Sequence, residues 1–390
     1  DKSILGAGEG IAYVPLDDPQ SPGFWTGGVV LGRTVAPLFA VTLLDAEGRE
    51  LSPRIAGRRW TPAALVVEYR FAHGIQATEV RTVHPGGVFI SEWRLSAMAP
   101  QLLHLIAWTA VYGASLHTGS MTYDGALNFT RDAGDGTVLC SLAVIGGATS
   151  WASLASEGAL EAATWRATPF LEHWRTDGLP SEARAGLTAR GRCFGAVHRS
   201  LRVARDGASV AFAMRAIPAE AALRPPAAAS GASPATGTFE GASRRRWDAR
   251  FAELPQLTSS DPYLERAYWY RWFGAWLLRI DRGTGAFHSG GASAHSASIG
   301  SAEAVLAPAI VRDLRWHPDP AWRRGALFQF FDHQRLDGSL PRSVGVSGPS
   351  EANAPPTVDW GGAVRAFAET EDDLAHVERA WRTLERYARW

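Results

Sequence analysis

Asp261-Pro262-Tyr263-Leu264-Glu265-Arg266-Ala267-Tyr268-Trp269-Tyr270-Arg271-Trp272-Phe273-Gly274-Ala275-Trp276-Leu277-Leu278-Arg279-Ile280 is the stretch that decides the fold. Asp is a good N-cap, and Pro suits the first helical position, where its missing N–H costs nothing. The spacing predicts a helix to about Asp281, stopped before Gly283. Leu264, Ala267, Tyr268, Trp269, Trp272, Phe273, Trp276, Leu277, Leu278 and Ile280 cover nearly all its sides, so the helix should be buried all round. Asp319-Pro320 repeats the start and opens a helix ending near Gln334, before Asp337-Gly338. A shorter helix is expected over 301–315, another from near Asp359, and a last one from near Glu371 to Trp390. Alternate helices therefore begin near 262, 320 and 372, as in helical hairpins repeated roughly every fifty residues.

Working back toward the N-terminus, the pattern changes. Ala64–Phe71, Ile75–Val83, Val88–Leu95, Leu102–Val111, Thr137–Ile145, Ala196–Val203 and Ala208–Ile217 read as strands, with turn signals at His73-Gly74 and Asp206-Gly207. Many short strands with such turns argue for an antiparallel β-sandwich. Between the halves, Arg224-Pro225-Pro226-Ala227-Ala228-Ala229-Ser230-Gly231 is a linker by composition. A helix follows from Thr238 to about Glu253, with Trp247 and Phe251 on one face. The expected organisation is a sandwich over 1–218, a linker and linker helix over 219–256, and helical hairpins over 257–390.

Composition excludes several classes. The 39 Lys+Arg residues balance 39 Asp+Glu, so nothing marks the chain for nucleic acid or an anionic membrane. Lys2 is the only lysine, which removes the phosphate-loop lysine and any interior Schiff-base lysine. The arginine bias fits a GC-rich, bacterial genome. No stretch of 18 apolar residues is present; no secretory leader is visible, but both ends look cut, so the compartment is left unknown, cytoplasm slightly favoured. Cys140 and Cys193 could form one disulfide, but two separate buried thiols are the favoured reading; no metal cluster is expected, nor any cofactor. Asn128-Phe129-Thr130 matches a glycosylation triplet, which arises readily by chance.

A sandwich followed by helical hairpins resembles the six-hairpin glycosidases, with the closest flavour in glycoside hydrolase family 63 and the trehalase-like glucosidases. The likeness rests on Trp247-Asp248-Ala249-Arg250-Phe251 with Leu254-Pro255, and on Asp261-Pro262-Tyr263-Leu264 leading into Tyr268–Trp272. It continues in Arg312–Trp316 with Asp319-Pro320, in Gln334–Pro341, and in Asp359-Trp360-Gly361-Gly362-Ala363-Val364. The resemblance implies an α/α toroid and hydrolysis of a glucoside or related oligosaccharide with inversion, by an acid/base carboxyl pair about 6.5–9.5 Å apart. An inverting phosphorylase, a polysaccharide lyase and a non-catalytic carbohydrate-binding protein are the rivals. The lyase chains usually place the toroid first, the reverse of this order.

Candidate substrate-binding residues are Asp359, Trp360, Glu303 and His295. Asp359 could accept from sugar hydroxyls and Trp360 could cover a sugar face, although an N-cap beside a packing aromatic is the simpler account. Glu303 follows the loop 289–301 and would sit in the first turn of a helix. His288 and His295 flank that loop, too few for a zinc site. Arg312 and Arg315 should pair with Asp313 or Asp319, and Asp337-Gly338 should be a turn. Trp269, Trp272 and Trp276 have the spacing of core residues.

A toroid of six hairpins needs about three hundred residues, and residues 258–390 hold fewer than half of that. The resemblance therefore places the acid/base pair beyond Trp390 and implies an incomplete barrel, inactive alone, that exposes Trp269, Trp272, Phe330 and Trp381. Limited proteolysis should cut first between about 220 and 238 and leave a β-rich N-terminal piece. First cuts within 64–111 would contradict the sandwich.

Overall fold

The computed structural model describes residues 4–7, 10–13, 22–30, 33–112, 120–121, 126–132, 136–156, 165–174, 178–183, 192–219, 238–280, 285–292, 301–345 and 347–390. The chain forms two compact units, Asp1–Trp247 and Asp248–Trp390. Most of the Pro/Ala-rich linker and His295 lie outside the described residues.

In the first unit an eight-stranded antiparallel sheet runs in the order Ser120–Met121, Ala126–Asp132, Thr137–Ile145, Ala208–Pro218, Val88–Ala97, Ile75–His84, Ala64–Arg70, Arg54–Thr61. A five-stranded sheet has the order Glu182–Ala183, Ser150–Ser156, Arg192–Val203, Gln101–Tyr112, Ala40–Leu44, and its edge pair is parallel. A smaller sheet joins Ile4–Gly6, Gly10–Tyr13, Gly28–Val30 and Arg33–Val35. Alternation explains the layering. Along Gln101–Tyr112, Leu103, Leu105, Ala107 and Val111 face one core, where they meet Tyr69, Phe89, Trp93, Leu142 and Phe212 of the larger sheet. Ile106, Trp108 and Ala110 face the other way and are buried under Trp165, Phe170 and Leu179. Gly87 is obligatory in its turn: its φ is 67°, and a Cβ there would lie 2.2 Å from the Ala216 carbonyl oxygen.

Glu79 is the most enclosed charge of this unit. Its carboxylate accepts from the Gly23 amide at 2.8 Å, Ser91 Oγ at 2.6 Å and Tyr69 Oη at 2.9 Å, and pairs with Arg81 at 2.8 Å. Every lone pair is used, which is the condition for burying a carboxylate. Cys140 and Cys193 are free thiols in the core, and burial pushes Cys140 up to about 11.

Helices are numbered in chain order as α1 Phe170–His173, α2 Thr238–Ala252, α3 Pro262–Leu277, α4 Ala307–Leu314, α5 Pro320–Phe331, α6 Trp360–Ala368 and α7 Leu374–Arg389. Phe239 of α2 packs on Ile90 and Ala211, and Arg246 donates to the Val83 carbonyl oxygen at 2.8 Å. The Asp-Pro starts are N-caps: Asp261 accepts from the Tyr263 amide at 2.8 Å and Asp319 from the Ala321 amide at 2.9 Å. In the second unit α4 packs on α5 and α6, and α7 packs on α5 and α6.

Three expectations need correction. α3 is not buried all round: Tyr263 is 76% exposed, and Leu264 and Tyr270 are exposed too, while Trp272, Phe273, Trp276 and Leu277 are its buried residues. The enclosed helix is α5, buried without interruption from Gly325 to Phe331. Of the rings expected to be bared, Trp381 is exposed, but Trp272 and Phe330 are covered. The helix expected from 301 starts at Ala307, and Ser301–Glu303 is a strand. Among the described residues no helix is long and apolar enough to cross a membrane.

Buried histidines give the first unit a pH signature. Burial lowers His198 to about 3, aided by His104 and Arg199, and burial with Arg246 lowers His84 to about 4. The unfolded chain binds these protons first, near the ordinary histidine value of about 6.5. Their stabilisation is thus complete above pH 6.5 and is lost as pH falls toward 4 and below. Tm measured from pH 7.5 to 4 should fall with acid, and His84→Phe should flatten part of that fall. A Tm rising toward pH 4.5 would contradict it.

Candidate functional site

The helices of the second unit are joined alternately by short turns and long connections. Residues 315–319 and 369–373 are the short turns, and 278–306 and 332–359 the long connections. A three-stranded sheet of Ser301–Glu303, Ser343–Gly345 and Gly348–Pro349 ties the two long connections together, with Glu303 opposite Ser343. The candidate residues therefore lie at one end of the helix pairs.

The first connection is fixed by α5. Gln329 Oε1 accepts from the Ala292 amide at 3.0 Å, and Trp322 Nε1 donates to the Gly291 carbonyl oxygen at 3.2 Å. A Cβ at Gly291 would stand 1.9 Å from Gln329 Oε1, and one at Gly325 would stand 2.6 Å from the Ser289 carbonyl oxygen. Only glycine allows so close an approach of loop and helix. The second connection is gripped by Arg335, which donates to the Ser350 carbonyl oxygen at 2.8 Å and also reaches Glu351 and Asn353. Tyr387 Oη donates to the Pro355 carbonyl oxygen at 3.2 Å.

Glu303 is half-buried on its strand, and among the described residues no side-chain hydrogen bond or ion pair holds its carboxylate. Its strand position replaces the predicted first-turn role, since a strand offers no helix dipole. Asp359 is the N-cap of α6: Oδ1 accepts from the Gly362 amide at 2.8 Å and Oδ2 pairs with Arg312. The following glycine serves that pair, because a Cβ at Gly362 would fall 2.3 Å from Asp359 Oδ2. Trp360 is 1% exposed, with ring centroids 5.3 Å from Phe330 and 5.4 Å from Phe331. Its ring seats the first turn of α6 in the core and presents no open face. His288 is exposed with its ring 6.1 Å from His333, while His295 lies outside the described residues.

The structure thus brings Asp359 to Arg312, and Glu303 to Ser343 in the ladder; no bond joins Glu303 to Asp359. The arginine pairings differ from expectation. Arg312 reaches Asp359 and Arg315 reaches Glu369, while Asp313 is taken by Arg271 and Asp319 by Arg279. Neighbours in sequence point off different sides of a helix, so an adjacent Arg and Asp on α4 meet different helices. Asp337 is a turn residue: the Ser339 hydroxyl and amide donate to it at 2.7 and 2.9 Å and hold its carboxyl below the ordinary value. Among the described residues no group of three or more His, Cys, Asp or Glu could hold a metal ion. The arrangement supplies hydroxyl acceptors, with an arginine beside one of them.

No protein-family model matches the chain, and no curated protein matches it. Solved structures do. A chain assigned as a kojibiose phosphorylase from the human microbiome matches with a TM-score of 0.65 at 8% identity, over 95% of this chain and 54% of that one. A bacterial glucoamylase complexed with acarbose matches with a TM-score of 0.50 at 10% identity, over 98% of this chain and 63% of that one. An inverting mannosidase of family GH92 from Bacteroides thetaiotaomicron matches at 0.46 and 9% identity, over 89% and 45%, too distant to carry an argument. The chain therefore spans between half and two thirds of the length of the first two, and its fold is glycosidase-like.

Proposed function

We propose that the chain is the sandwich and first hairpins of a carbohydrate-active enzyme that breaks a glycosidic bond, most simply an inverting glycoside hydrolase acting on a glucoside or related oligosaccharide. The observation that carries this reading is the likeness to one solved structure across 95% of the chain, with a TM-score of 0.65. In this proposal α4 and α6 are inner helices of an α/α toroid, and α3, α5 and α7 are outer ones. The packing of α4 on α6 and of α5 on α7 supports it, as does the placement of both long connections at one end. The family 63 and trehalase-like affinity is part of the proposal, as are the domain limits 1–218, 219–256 and 257–390.

Glu303 and Asp359 are assigned to substrate positioning. Glu303, half-buried and without a side-chain partner among the described residues, offers its carboxylate as an acceptor for sugar hydroxyls, and Asp359 keeps free lone pairs beside its bonds to Gly362 and Arg312. Arg312 orients Asp359 and can donate to a neighbouring sugar oxygen. The proton transfers themselves are not assigned to these residues. The phosphorylase reading stays as the second one, because a solved structure matched with a TM-score of 0.65 is assigned as a phosphorylase. There phosphate would replace the attacking water.

The whole protein, incubated with α- and β-linked glucosyl disaccharides with and without phosphate, should release free sugar of inverted anomeric form. Sugar 1-phosphate formed only with phosphate would select the phosphorylase. No turnover on any member would overturn the proposal. Glu303→Gln and Asp359→Asn should each raise KM by roughly tenfold while leaving Tm within a few degrees, since Asn caps a helix as well as Asp. Unchanged kinetics in both would remove them from the site.

A further inference from the structure

His317 lies in the short turn between α4 and α5. It is 1% exposed and enclosed by three indoles, with ring centroids 5.6 Å to Trp272, 5.3 Å to Trp276 and 4.6 Å to Trp322. Its Nδ1 lies 3.1 Å from the backbone amide of Asp319. A backbone N–H can only donate, so Nδ1 must be unprotonated and the ring proton must sit on Nε2. Among the described residues Nε2 has no hydrogen-bond partner. The imidazole is thus neutral, of one tautomer, and held at a single point.

That point matters to the loop at the candidate site. Asp319 is the N-cap of α5, and Trp322, in the first turn of α5, packs edge-on to the His317 ring. The same indole donates from Nε1 to the Gly291 carbonyl oxygen, one residue before the Ala292 amide that Gln329 holds. A contiguous set of contacts therefore runs from the turn to the loop that leads into Glu303.

We propose that His317 is an acid-sensitive latch: a proton at Nδ1 expels the Asp319 amide, and the freed ring withdraws its packing from Trp322 and loosens the loop at Gly291 and Ala292. A protonated Nδ1 faces the amide N–H donor to donor, an arrangement that cannot persist at 3.1 Å. The ring must turn to find an acceptor, and the Asp319 carboxylate beside it is the nearest charged one.

The ionisable groups around the ring set the pH at which this happens. On its own turn stands Asp319; α5 contributes Arg323, the strand after α3 contributes Arg279, and α3 itself contributes the two indoles. Burial is the largest influence and lowers the histidine to about 4; the Asp319 carboxylate opposes it, while Arg279 and Arg323 add to it. The latch therefore stays closed at neutral pH and opens only in clear acid.

The test is amide hydrogen exchange of the whole chain between pH 7 and 3.5, corrected for intrinsic rates, with the His317 ring followed by its carbon shifts. Protection at Asp319 and Ala292 should fall together by roughly tenfold or more as the ring takes its proton, with the amides of Leu105 and Val197 still protected. His317→Asn keeps an acceptor for the Asp319 amide but cannot titrate, so its protection should be flat across the range. Trp322→Phe removes the bond to Gly291 and should leave the acid response at Asp319 while abolishing it at Ala292. An equal loss in His317→Asn, or a protonated His317 with both amides unmoved, would overturn the latch. Should His317→Asn fail to fold, the wild-type titration set against the two amides decides by itself.

Discussion

Helix α5 must be buried on every side, and much of the second unit is arranged to permit it. From Gly325 to Phe331 no residue of α5 reaches solvent, so each face needs a neighbour that fits. The loop Phe287–Ala292 covers one face so closely that a Cβ at Gly325 would meet its backbone and one at Gly291 would displace the Gln329 amide. Trp360 of α6 fills another, against Phe330 and Phe331, and Phe367 packs edge-on to Phe328 on a third. The amide of Gln329 is tolerable there only because its oxygen takes the Ala292 amide and its nitrogen gives to the Ala326 carbonyl oxygen. The candidate residues are placed by this helix without belonging to it: Glu303 follows the loop it anchors, and Asp359 precedes the helix whose first turn it packs.

Around that apolar centre the helices are linked by arginine–carboxylate pairs with one recurring offset. Arg312–Asp359, Arg324–Glu371 and Asp332–Arg379 are each separated by 47 residues. The three pairs start from different places, Arg312 on α4, Arg324 within α5 and Asp332 at the C-terminal end of α5, and each reaches forward to the next hairpin. These pairs are unequal in energy. Arg324 holds Glu371 through two bonds of 2.7 Å, with the carboxylate almost wholly covered, and Glu371 is lowered to about 2 chiefly by that bond. Arg312 and Asp359 are both well exposed, where such pairs contribute little to stability. A weak, exposed pair can exchange one of its bonds for a ligand at small cost, whereas the covered Arg324–Glu371 pair cannot.

Much of this was readable from residue order alone. The Asp-Pro starts, the linker helix and the strands around residues 64–111 and 196–217 follow from capping and alternation, which are local properties. The strands Ala40–Leu44, Arg54–Thr61, Ala126–Asp132 and Ser150–Ser156 gave less signal. Arg54–Thr61 is an exposed edge, so no apolar alternation was demanded of it. The side on which α3 would be bare could not be seen, because aromatic residues cover its whole circumference and burial there is a tertiary choice. Glu303 lies on a strand where a first helical turn is expected, since Ser301-Ala302-Glu303 is too short to carry either periodicity. The partner of Arg312 was not legible, because its 47-residue offset is shorter than the spacing between alternate helix starts.

The tryptophans sharpen what the site can use. Indoles suit sugar faces, but here Trp272, Trp276, Trp322 and Trp360 are all within the core. Trp272, Trp276 and Trp322 form the walls around His317, and Trp360 closes the floor under α6. An indole committed to packing on both faces has no face left to cover a ring. In the proposed reading, recognition at this end of the hairpins rests on hydrogen bonds that Glu303 and Asp359 accept and Arg312 donates, which are directional and short-ranged. Such bonds discriminate strongly between hydroxyl arrangements, because a wrong sugar leaves a polar group unmet. They also demand that the loops bearing them be held to within a few tenths of an ångström. In that reading, the glycine-tight seat of the first connection on α5 and the grip of Arg335 on the second meet this demand.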